Sequence, residues 1–223
     1  NRGANFALEP SHVLDVRSRI EEANVVVVQL ETPMEVVCQT LKLAREHNAV
    51  TVFNPAPMVL FEPEILTLAD WLIPNETEAV SLLRLLGRWD ERDEERLRDG
   101  LSYEFVMEAA GRLAEVTGAH VIVTLGDKGC VYVGPIDRCG LAFPAYEVET
   151  VDTTAAGDAF IGGMACALDE DSGSSENIAE LISFSQAVAA LTTTKLGAQP
   201  SLPTRIEVEE FLAERKRGDC SRC

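Results

Sequence analysis

The run Asp152–Phe160, DTTAAGDAF, places small residues and two carboxylates between an apolar segment and a segment of helical character. Backbone N–H groups at the start of a helix lack an acceptor within the helix, so four consecutive amides are expected to be unpaired and to point at one spot. These are the amides of Ala155, Ala156, Gly157 and Asp158. Together they would form an anion site suited to a phosphate in transfer, because the small side chains permit close approach.

The carboxylate of Asp158 falls in the first turn of that predicted helix, which continues to about Leu168. There it could accept a proton from an attacking hydroxyl as a general base. The same residues are equally consistent with an aspartate favoured by the helix dipole and an Ala-Ala-Gly run that only packs tightly. Spacing alone leaves both interpretations open.

A second polar group, Asn75-Glu76-Thr77-Glu78, follows a short apolar segment. Asn75 can cap a helix reaching about Leu86, with Glu78 as its capping-box partner. That structural role accounts for both residues without any ligand. Their expected place at the carboxyl end of a strand also suits ligand contact.

These residues are positioned by strand-length apolar runs that alternate with segments of helical period, a pattern that indicates an α/β fold with a mostly parallel sheet flanked by helices. We expect strands at Val25–Leu30, Ala49–Phe53, Trp71–Ile73, Val121–Leu125, Cys130–Val133 and Glu147–Val151. We expect further helices at about 33–48, 105–116, 176–193 and 206–215. The first of these should have Thr32 as N-cap, Pro33 as its first residue and Glu35 as capping-box partner.

Two connecting segments are predicted from composition. The prolines of Asn54-Pro55-Ala56-Pro57 predict a loop, because they remove donors and restrict their neighbours. The charged stretch Arg88–Gly100 lacks apolar periodicity and predicts a solvated surface insertion, to which we assign no function. A tight turn is expected at Gly126–Gly129.

Composition narrows the class of protein. The chain has 223 residues, of which 46% are hydrophobic and 25% charged, enough for the core of one α/β domain. Its net charge of -18 argues against nucleic acids and anionic membranes as partners and favours a small molecule. No apolar run approaches the roughly 20 residues that span a bilayer, and the N-terminus has no signal pattern, so a cytoplasmic location is expected.

Cysteine and histidine give little indication of a metal site. The six cysteines lie mostly in apolar stretches, which favours reduced core thiols over a disulfide framework. Only Cys220 and Cys223 have a CxxC spacing, in a charged tail without a second ligand pair, so a metal or redox role there is disfavoured. The three histidines are not spaced as metal ligands either; they are His12, His47 and His120.

The run DTTAAGDAF is similar to the C-terminal signature of the ribokinase or PfkB family of carbohydrate kinases, which usually has glycine at the position of Ala155. Further segments resemble that family in the same order. They are Gly3-Ala4-Asn5, Gln29-Leu30-Glu31, Asn54-Pro55-Ala56-Pro57, Asn75-Glu76-Thr77-Glu78, Thr124-Leu125-Gly126 and Gly197-Ala198-Gln199-Pro200-Ser201. The resemblance covers nearly the whole chain and implies the family's three-layer α/β sandwich, with residues 1–223 as the C-terminal portion of a single domain.

The resemblance implies an ATP-dependent transfer of phosphate to the primary 5-hydroxyl of D-ribose. Asp158 would be the catalytic base and would contact the sugar, and the anion hole would be formed by Ala155, Ala156 and Gly157. Asn75 and Glu78 would contact phosphate and organise Mg²⁺ with its waters, and Glu31 would contact the sugar. Nucleotide contacts would come from Thr124, Gly126, Asp127 and Gly157. A surface carboxylate at Glu31 and an ordinary tight turn at Gly126 are the simpler readings.

Similarity to the family also implies a monovalent-cation site for K⁺ beside the anion hole. The matching positions are Asp152, Thr154, Thr192, Lys195, Gly197 and Ser201, several of them through backbone carbonyls. Hard oxygen ligands of this kind suit potassium, whose charge would orient the hole.

A family member would carry a further N-terminal section of roughly a hundred residues, the size of a small domain. We expect this chain to lack that section, with its first strands, sugar-holding residues and β lid, and to have little kinase activity by itself, because a lid excludes water and orients the sugar. A homodimer is expected only of a full-length form. Two alternatives stay open: a family kinase acting on fructose, deoxyribose or a nucleoside, and a lidless nucleotide-binding protein without catalysis.

Overall fold

The computed structural model describes residues 3–98, 100–136, 140–170 and 177–220. The chain divides into two compact units. The sheet unit comprises Asn1–Leu125 and Cys130–Ala142, and the helical unit comprises Gly126–Gly129 and Phe143–Cys223. The assignment of residues 1–223 to one domain stays a prediction.

The sheet unit is built on a six-stranded sheet whose strands follow chain order. The strands are β1 (Val25–Gln29), β2 (Val50–Asn54), β3 (Trp71–Leu72), β4 (His120–Thr124), β5 (Cys130–Val133) and β6 (Gly140–Phe143). Strands β1 to β4 pair in parallel and β5 pairs antiparallel with β4. The predicted α/β class with a mostly parallel sheet is confirmed, and the carboxyl ends of β1 to β4 share one edge.

The strands of the sheet differ in how deeply their side chains are buried, and the deeply buried strands are the ones with a clear apolar pattern in the sequence. The central strands are continuous apolar runs, as strands covered on both faces require. Phe53 and Leu72 are completely buried and Trp71 nearly so, whereas Val27 on the edge strand β1 is 40% exposed. Strand β6 was not predicted, because most of its side chains are exposed and its four residues carry no clear apolar pattern.

Six helices belong to the described part of the sheet unit. They are α1 (Pro10–Asp15), α2 (Arg17–Glu21), α3 (Met34–Glu46), α4 (Glu76–Leu85), α5 (Glu91–Arg98) and α6 (Tyr103–Thr117). The predicted capping box of Thr32 and Glu35 is wrong. Pro33 is itself the N-cap of α3, in an extended conformation and without a side-chain cap, so the helix begins one residue later than predicted.

The charged stretch 88–100 is more ordered than the sequence indicated, because it contains helix α5. The side chain of Asp93 is only 3% exposed and pairs with Arg112 Nη1 of α6 at 2.6 Å. Arg112 also donates to the carbonyl of Arg88 at 3.2 Å. The prediction of a solvated insertion is therefore wrong for Asp93, since paired charges hold this segment on α6 where apolar periodicity does not.

The helical unit contains α7 (Ala156–Glu170), α8 (Ile178–Thr193) and α9 (Arg205–Cys220). Helices α7 and α8 pack so closely that a Cβ at Gly163 would lie 3.1 Å from Ser185 Cα. The predicted strand Glu147–Val151 is wrong, since residues 144–150 have no regular secondary structure. The backbone N–H of Val151 donates instead to Thr193 O at the end of α8, at 2.8 Å.

The cysteines of the described part differ in their exposure. Cys38, Cys130 and Cys166 are free thiols; Cys130 is buried as expected of a core thiol, whereas Cys38 is half-buried and Cys166 is exposed. Cys223, which completes the CxxC spacing with Cys220, and the predicted helix start at Glu176 lie outside the part that is described. Within the described residues no group of three or more His, Cys, Asp and Glu side chains could hold a metal ion. Nor is any helix in that part long and apolar enough to cross a membrane.

Candidate active site

Polar residues follow the strands of the sheet unit along the shared carboxyl edge. Glu31 lies in an exposed turn after β1, Asn75 follows β3, and Thr124 ends β4. Asn75 and Thr124 form a parallel bridge, and the N–H of Thr124 donates to Pro74 O at 3.0 Å. Open parallel sheets bind ligands at this edge. The structure thus places three of the predicted site residues along one edge of a single unit.

Asn75 and Glu78 form a complete capping box at the start of α4. Asn75 Oδ1 accepts from the Glu78 N–H at 2.9 Å, and Glu78 Oε2 accepts from the Asn75 N–H at 2.9 Å. Glu78 is 7% exposed, and this burial raises the pKa of its carboxyl above the ordinary value, against the lowering effect of the bonds to Asn75. The structural role read from the sequence is confirmed, and it leaves Glu78 Oε1 outside the box.

One polar side chain on the same edge was not singled out from the sequence. Asn54, the last residue of β2, is 6% exposed. Its Oδ1 accepts from Gln29 Nε2 at 2.9 Å, and its Nδ2 donates to the carbonyl of Ile73 at 2.6 Å. The sequence indicates a loop at Asn54-Pro55-Ala56-Pro57 and a resemblance of this segment to the family, but no role for the Asn54 side chain. The available signal is an asparagine directly after an apolar strand.

In the helical unit, Asp152 joins two segments that are distant in sequence. Its Oδ1 accepts from the Thr154 N–H at 2.9 Å, and its Oδ2 accepts from the Gly197 N–H at 2.9 Å. Hydrogen bonds from the Thr154 side chain and from the backbone of Gly197 and Thr154 hold the pKa of Asp152 below its ordinary value. The carboxylate is therefore ionised at neutral pH and orients the turn that leads into α7.

The turn itself is completed by Ala155, which has φ +62°. An L-residue is strained in this left-handed region and glycine is not, which gives a physical reason for a glycine preference at this position. The carbonyl of Ala155 accepts from the Ala159 N–H at 2.8 Å and so begins α7. The expectation that all four amides are unpaired is wrong for Ala156, whose N–H donates to Thr153 O at 3.2 Å.

Space for a ligand remains at the start of α7. A Cβ added to Gly157 would meet no atom within 4 Å, and Asp158 in the first turn is exposed. The amide of Gly157 lies in the first turn of the helix, where N–H groups have no acceptor within the helix and the helix dipole favours an anion. The arrangement can bind an anionic oxygen and present a carboxylate beside it.

The last turn of α8 and the loop after it contain the other residues predicted for a cation site. The carbonyl of Thr193 accepts from the N–H groups of Val151 and Asp152, at 2.8 and 3.1 Å, which fixes the loop against the turn before α7. Gly197 adopts φ +89°. The side chains themselves have other partners: Thr192 Oγ1 donates to Val188 O at 2.8 Å, Ser201 Oγ to Ala198 O at 2.6 Å, and Lys195 Nζ pairs with Glu207 at 2.9 Å.

The hydroxyl, carbonyl and carboxylate oxygens of these residues are hard ligands, which suit K⁺. The ammonium of Lys195 cannot be a ligand, so only its carbonyl could contribute. The residues fit a monovalent cation held by Asp152 and backbone carbonyls.

The remaining predicted residues, Gly126 and Asp127, lie in a short 3₁₀ turn, Gly126–Lys128. Gly126 has φ +60°, and Gly129 ends the turn with φ +99°. A Cβ at Gly129 would lie 2.0 Å from the carbonyl oxygen of Phe143, so only glycine fits beneath that segment. The predicted tight turn is confirmed.

Residues 1–205 match the family described as pfkB family carbohydrate kinase. The chain is 34% identical to the ribokinase of Staphylococcus aureus (strain COL), over 93% of this chain and 62% of that protein. It is 36% identical to the ribokinase of Haemophilus influenzae, over 94% of this chain and 62% of that protein.

Solved structures agree with these sequence relationships. The ribokinase of Thermotoga maritima is 36% identical, with a TM-score of 0.77 over 96% of this chain and 64% of that one. A ribokinase of Arabidopsis thaliana complexed with ribose and ATP is 27% identical, with a TM-score of 0.73 over 89% of this chain and 58% of that one. The chain thus spans under two thirds of the length of these relatives. From its match over most of its own length, the chain belongs to the pfkB family of carbohydrate kinases.

Proposed function

We propose that this chain carries the catalytic residues of an ATP-dependent sugar kinase that phosphorylates the primary 5-hydroxyl of D-ribose. The observation that carries the proposal is the position of Asp158. It lies exposed in the first turn of α7, next to open space at Gly157 and after the left-handed turn at Ala155. A general base and an anion-binding helix start are what phosphoryl transfer to an alcohol requires.

In the proposed reaction, Asp158 accepts the proton of the sugar's primary hydroxyl as that oxygen bonds to the γ-phosphorus of ATP. The bond from the γ-phosphorus to the oxygen bridging to the β-phosphate breaks, and ADP leaves with that electron pair. The products are ribose 5-phosphate and ADP. Negative charge on the transferring phosphoryl group is stabilised by backbone donors at Ala155 and Gly157, and this electrostatic stabilisation supplies most of the rate enhancement.

Asn75 and Glu78 are proposed to contact phosphate and to hold Mg²⁺ through its waters. Mg²⁺ typically binds through one or two carboxylates together with substrate phosphates and retained waters. Glu78, with one oxygen outside the capping box, fits that requirement, and the ion would neutralise charge on the phosphates. Thr124, Gly126 and Asp127 are proposed to contact the nucleotide.

A K⁺ ion is proposed to lie at Asp152 and Thr154, with carbonyls from Thr192, Lys195, Gly197 and Ser201. Support comes from the bond between Asp152 and Gly197, which already joins the two segments involved. The ion would add a fixed positive charge near the start of α7, and Asp152 would hold its side of the loop in place.

The sugar is proposed to be D-ribose, with Glu31 contacting it. Support comes from the ribokinases among the relatives and from the Arabidopsis ribokinase complexed with ribose and ATP. A fructokinase-1 of Oryza sativa subsp. japonica is also 33% identical over 184 residues, and this keeps a fructose kinase as the alternative.

The 223 residues alone are proposed to transfer little phosphate, since they match only 62% of the Staphylococcus aureus enzyme. A protein that binds nucleotide without catalysis is the remaining alternative. Weak phosphate transfer and nucleotide binding without catalysis are both proposals about the isolated chain. Measuring nucleotide binding and ATP turnover on one sample distinguishes them.

The test measures ADP formation with Mg²⁺, K⁺ and a panel of ribose, fructose, deoxyribose and a nucleoside. It uses the chain alone and the chain joined to the part of Staphylococcus aureus ribokinase that it does not match. The highest kcat/KM for ribose in the joined protein supports the proposal. A folded joined protein that binds MgATP in calorimetry and phosphorylates none of the four acceptors contradicts it.

A further inference from the structure

The side chain of Asn54 connects three neighbouring strands at the edge where the proposed site residues lie. Its Oδ1 accepts from Gln29 Nε2, the last side chain of β1, at 2.9 Å. Its Nδ2 donates to Ile73 O, directly after β3, at 2.6 Å. Asn54 is 6% exposed, so the bond to Ile73 is shielded from water, and the bond from the half-buried Gln29 is partly shielded. Neither belongs to the sheet's backbone ladder, so they add a connection that the strands alone do not provide.

The two partners of Asn54 occupy equivalent places in the chain. Gln29 stands two residues before Glu31, and Ile73 stands two residues before Asn75. A further bond, from the Leu30 N–H to Ala56 O at 2.9 Å, ties the turn after β1 to the loop after β2. One buried side chain therefore sits between the turn that presents Glu31 and the turn that presents Asn75.

We propose that Asn54 is a positioning residue, which holds the turns bearing Glu31 and Asn75 in a fixed relation. The inference rests on the proposed function, in which Glu31 contacts the sugar and Asn75 the phosphate. A carboxamide suits this position because it donates and accepts at the same time, which a carboxylate or an apolar side chain of similar size cannot do. Reacting groups must be held to within about 1 Å, so a loose connection here lowers turnover.

Substitutions at the two ends of the connection should have different effects. Gln29→Leu removes the bond from Gln29 to Asn54 and leaves the bond from Asn54 to Ile73 in place. Asn54→Leu removes both bonds and leaves the buried carbonyl of Ile73 without a partner. The first variant should therefore affect the sugar alone, and the second the sugar and the nucleotide.

A matched control lies on the same strand. Thr51 is fully buried near the opposite end of β2, and its Oγ1 donates to Leu68 O at 2.8 Å. Thr51→Val removes buried hydrogen bonds from β2 as Asn54→Leu does, but far along the strand from the carboxyl edge. A purely structural role for Asn54 predicts that both variants behave alike once they are corrected for global stability.

The first experiment is amide hydrogen exchange on the 223-residue chain, which needs no activity. In Asn54→Leu, the amides of residues 30–32 and 75–77 should exchange about tenfold faster than in the native chain, beyond any change in global stability. In Thr51→Val the same amides should exchange within about twofold of their rates in the native chain. Equal corrected rates in the two variants would overturn the proposal. If Asn54→Leu does not fold, Gln29→Leu, at a half-buried position, should accelerate exchange at residues 30–32 only, and unchanged rates there would likewise overturn it.

The second experiment measures steady-state kinetics on the preparation that phosphorylates ribose. Gln29→Leu should raise the KM for ribose about tenfold and leave the KM for ATP within about twofold, whereas Asn54→Leu should also lower kcat about tenfold. Unchanged constants, or an equal rise in both KM values for Gln29→Leu, would overturn the positioning role. Absence of phosphate transfer in the native protein would contradict the proposed function instead, and the exchange rates would then decide the role of Asn54.

Discussion

Asp152 accepts a hydrogen bond from the backbone N–H of Gly197 at 2.9 Å, although the two residues are 45 positions apart in the sequence. The other carboxylate oxygen accepts from the Thr154 N–H at 2.9 Å. A single side chain therefore connects the loop after α8 with the turn that begins α7. Since α7 carries Asp158, the geometry of the proposed catalytic turn depends on this connection.

Asp152→Asn should weaken the proposed activation by K⁺. Asparagine has one carbonyl oxygen, so it can keep only one of the two bonds, and it removes the negative charge that attracts a cation. We expect the half-saturating K⁺ concentration to rise about tenfold. Titrating kinase activity with KCl at constant ionic strength measures this. Glu149→Gln makes the same charge change three residues earlier, and a similar rise in that variant would contradict a specific role for Asp152.

Ala155→Gly should stabilise the fold. Ala155 has φ +62°, where an alanine costs about 1–2 kcal/mol and a glycine does not, and part of this gain is offset by the greater freedom of glycine in the unfolded chain. The free energy of unfolding in urea should rise by about 0.5 to 1 kcal/mol. Ala165→Gly, inside α7, should lower it by about 1 kcal/mol. Loss of stability in both variants would show that the left-handed turn is not strained.

Glu78→Gln should change how stability depends on pH. Burial raises the pKa of Glu78 above the ordinary 4.5, so the fold favours its neutral form. Its contribution to the free energy of unfolding is fully present below 4.5 and is lost as pH rises through the raised pKa. Glutamine does not titrate, so the native chain should lose stability relative to the variant as pH rises from 4 to 7.

Urea unfolding at several pH values measures that difference. Glu76→Gln makes the same change in the same helical turn at a partly exposed side chain, and it is the control. If Glu78→Gln and Glu76→Gln change the pH dependence of the free energy of unfolding equally, burial of Glu78 is not the cause of that change.

Arg112→Met should destabilise the sheet unit strongly. It leaves the carboxylate of Asp93, whose side chain is 3% exposed, without its ionic partner. Because Arg112 is 31% exposed and screened by water, breaking this half-buried pair should cost about 2 kcal/mol rather than the larger loss of a fully buried pair. Arg45→Met breaks the exposed pair with Asp70 and should cost about 0.5 kcal/mol. Urea unfolding compares the two, and equal losses would show that α5 is not held by the Arg112–Asp93 pair.

The parts of the fold that local chemistry decides were predictable. The apolar runs of β2 and β4 are stable as strands of a sheet that is covered on both faces. The Asn75 cap is also predictable, because both of its partners lie within four residues. Where a residue bonds to a distant part of the chain, the local pattern indicates the wrong structure or none. Thr32 was expected to cap α3 because its spacing fits, and Glu147–Val151 was expected to pair as a strand although Val151 bonds to the end of α8.

The candidate site shows the same division. Asp158, Gly157 and Asn75 could be selected because each stands at a recognisable helix start. The role of Asn54 could not, because its partners lie 25 and 19 residues away and the prolines after it indicate only a loop. The strain at Ala155 follows from its positive φ, which becomes visible only when the turn is folded.

The most direct test of the central claim compares Asp158→Asn with Asp169→Asn in the joined protein that phosphorylates ribose. Both variants remove one carboxylate from α7, the first from its first turn and the second from its last. If Asp158 is the general base, its substitution should lower kcat about 10²- to 10⁴-fold and leave MgATP binding unchanged, while Asp169→Asn stays near the native rate. A kcat for Asp158→Asn close to that of Asp169→Asn would contradict the account.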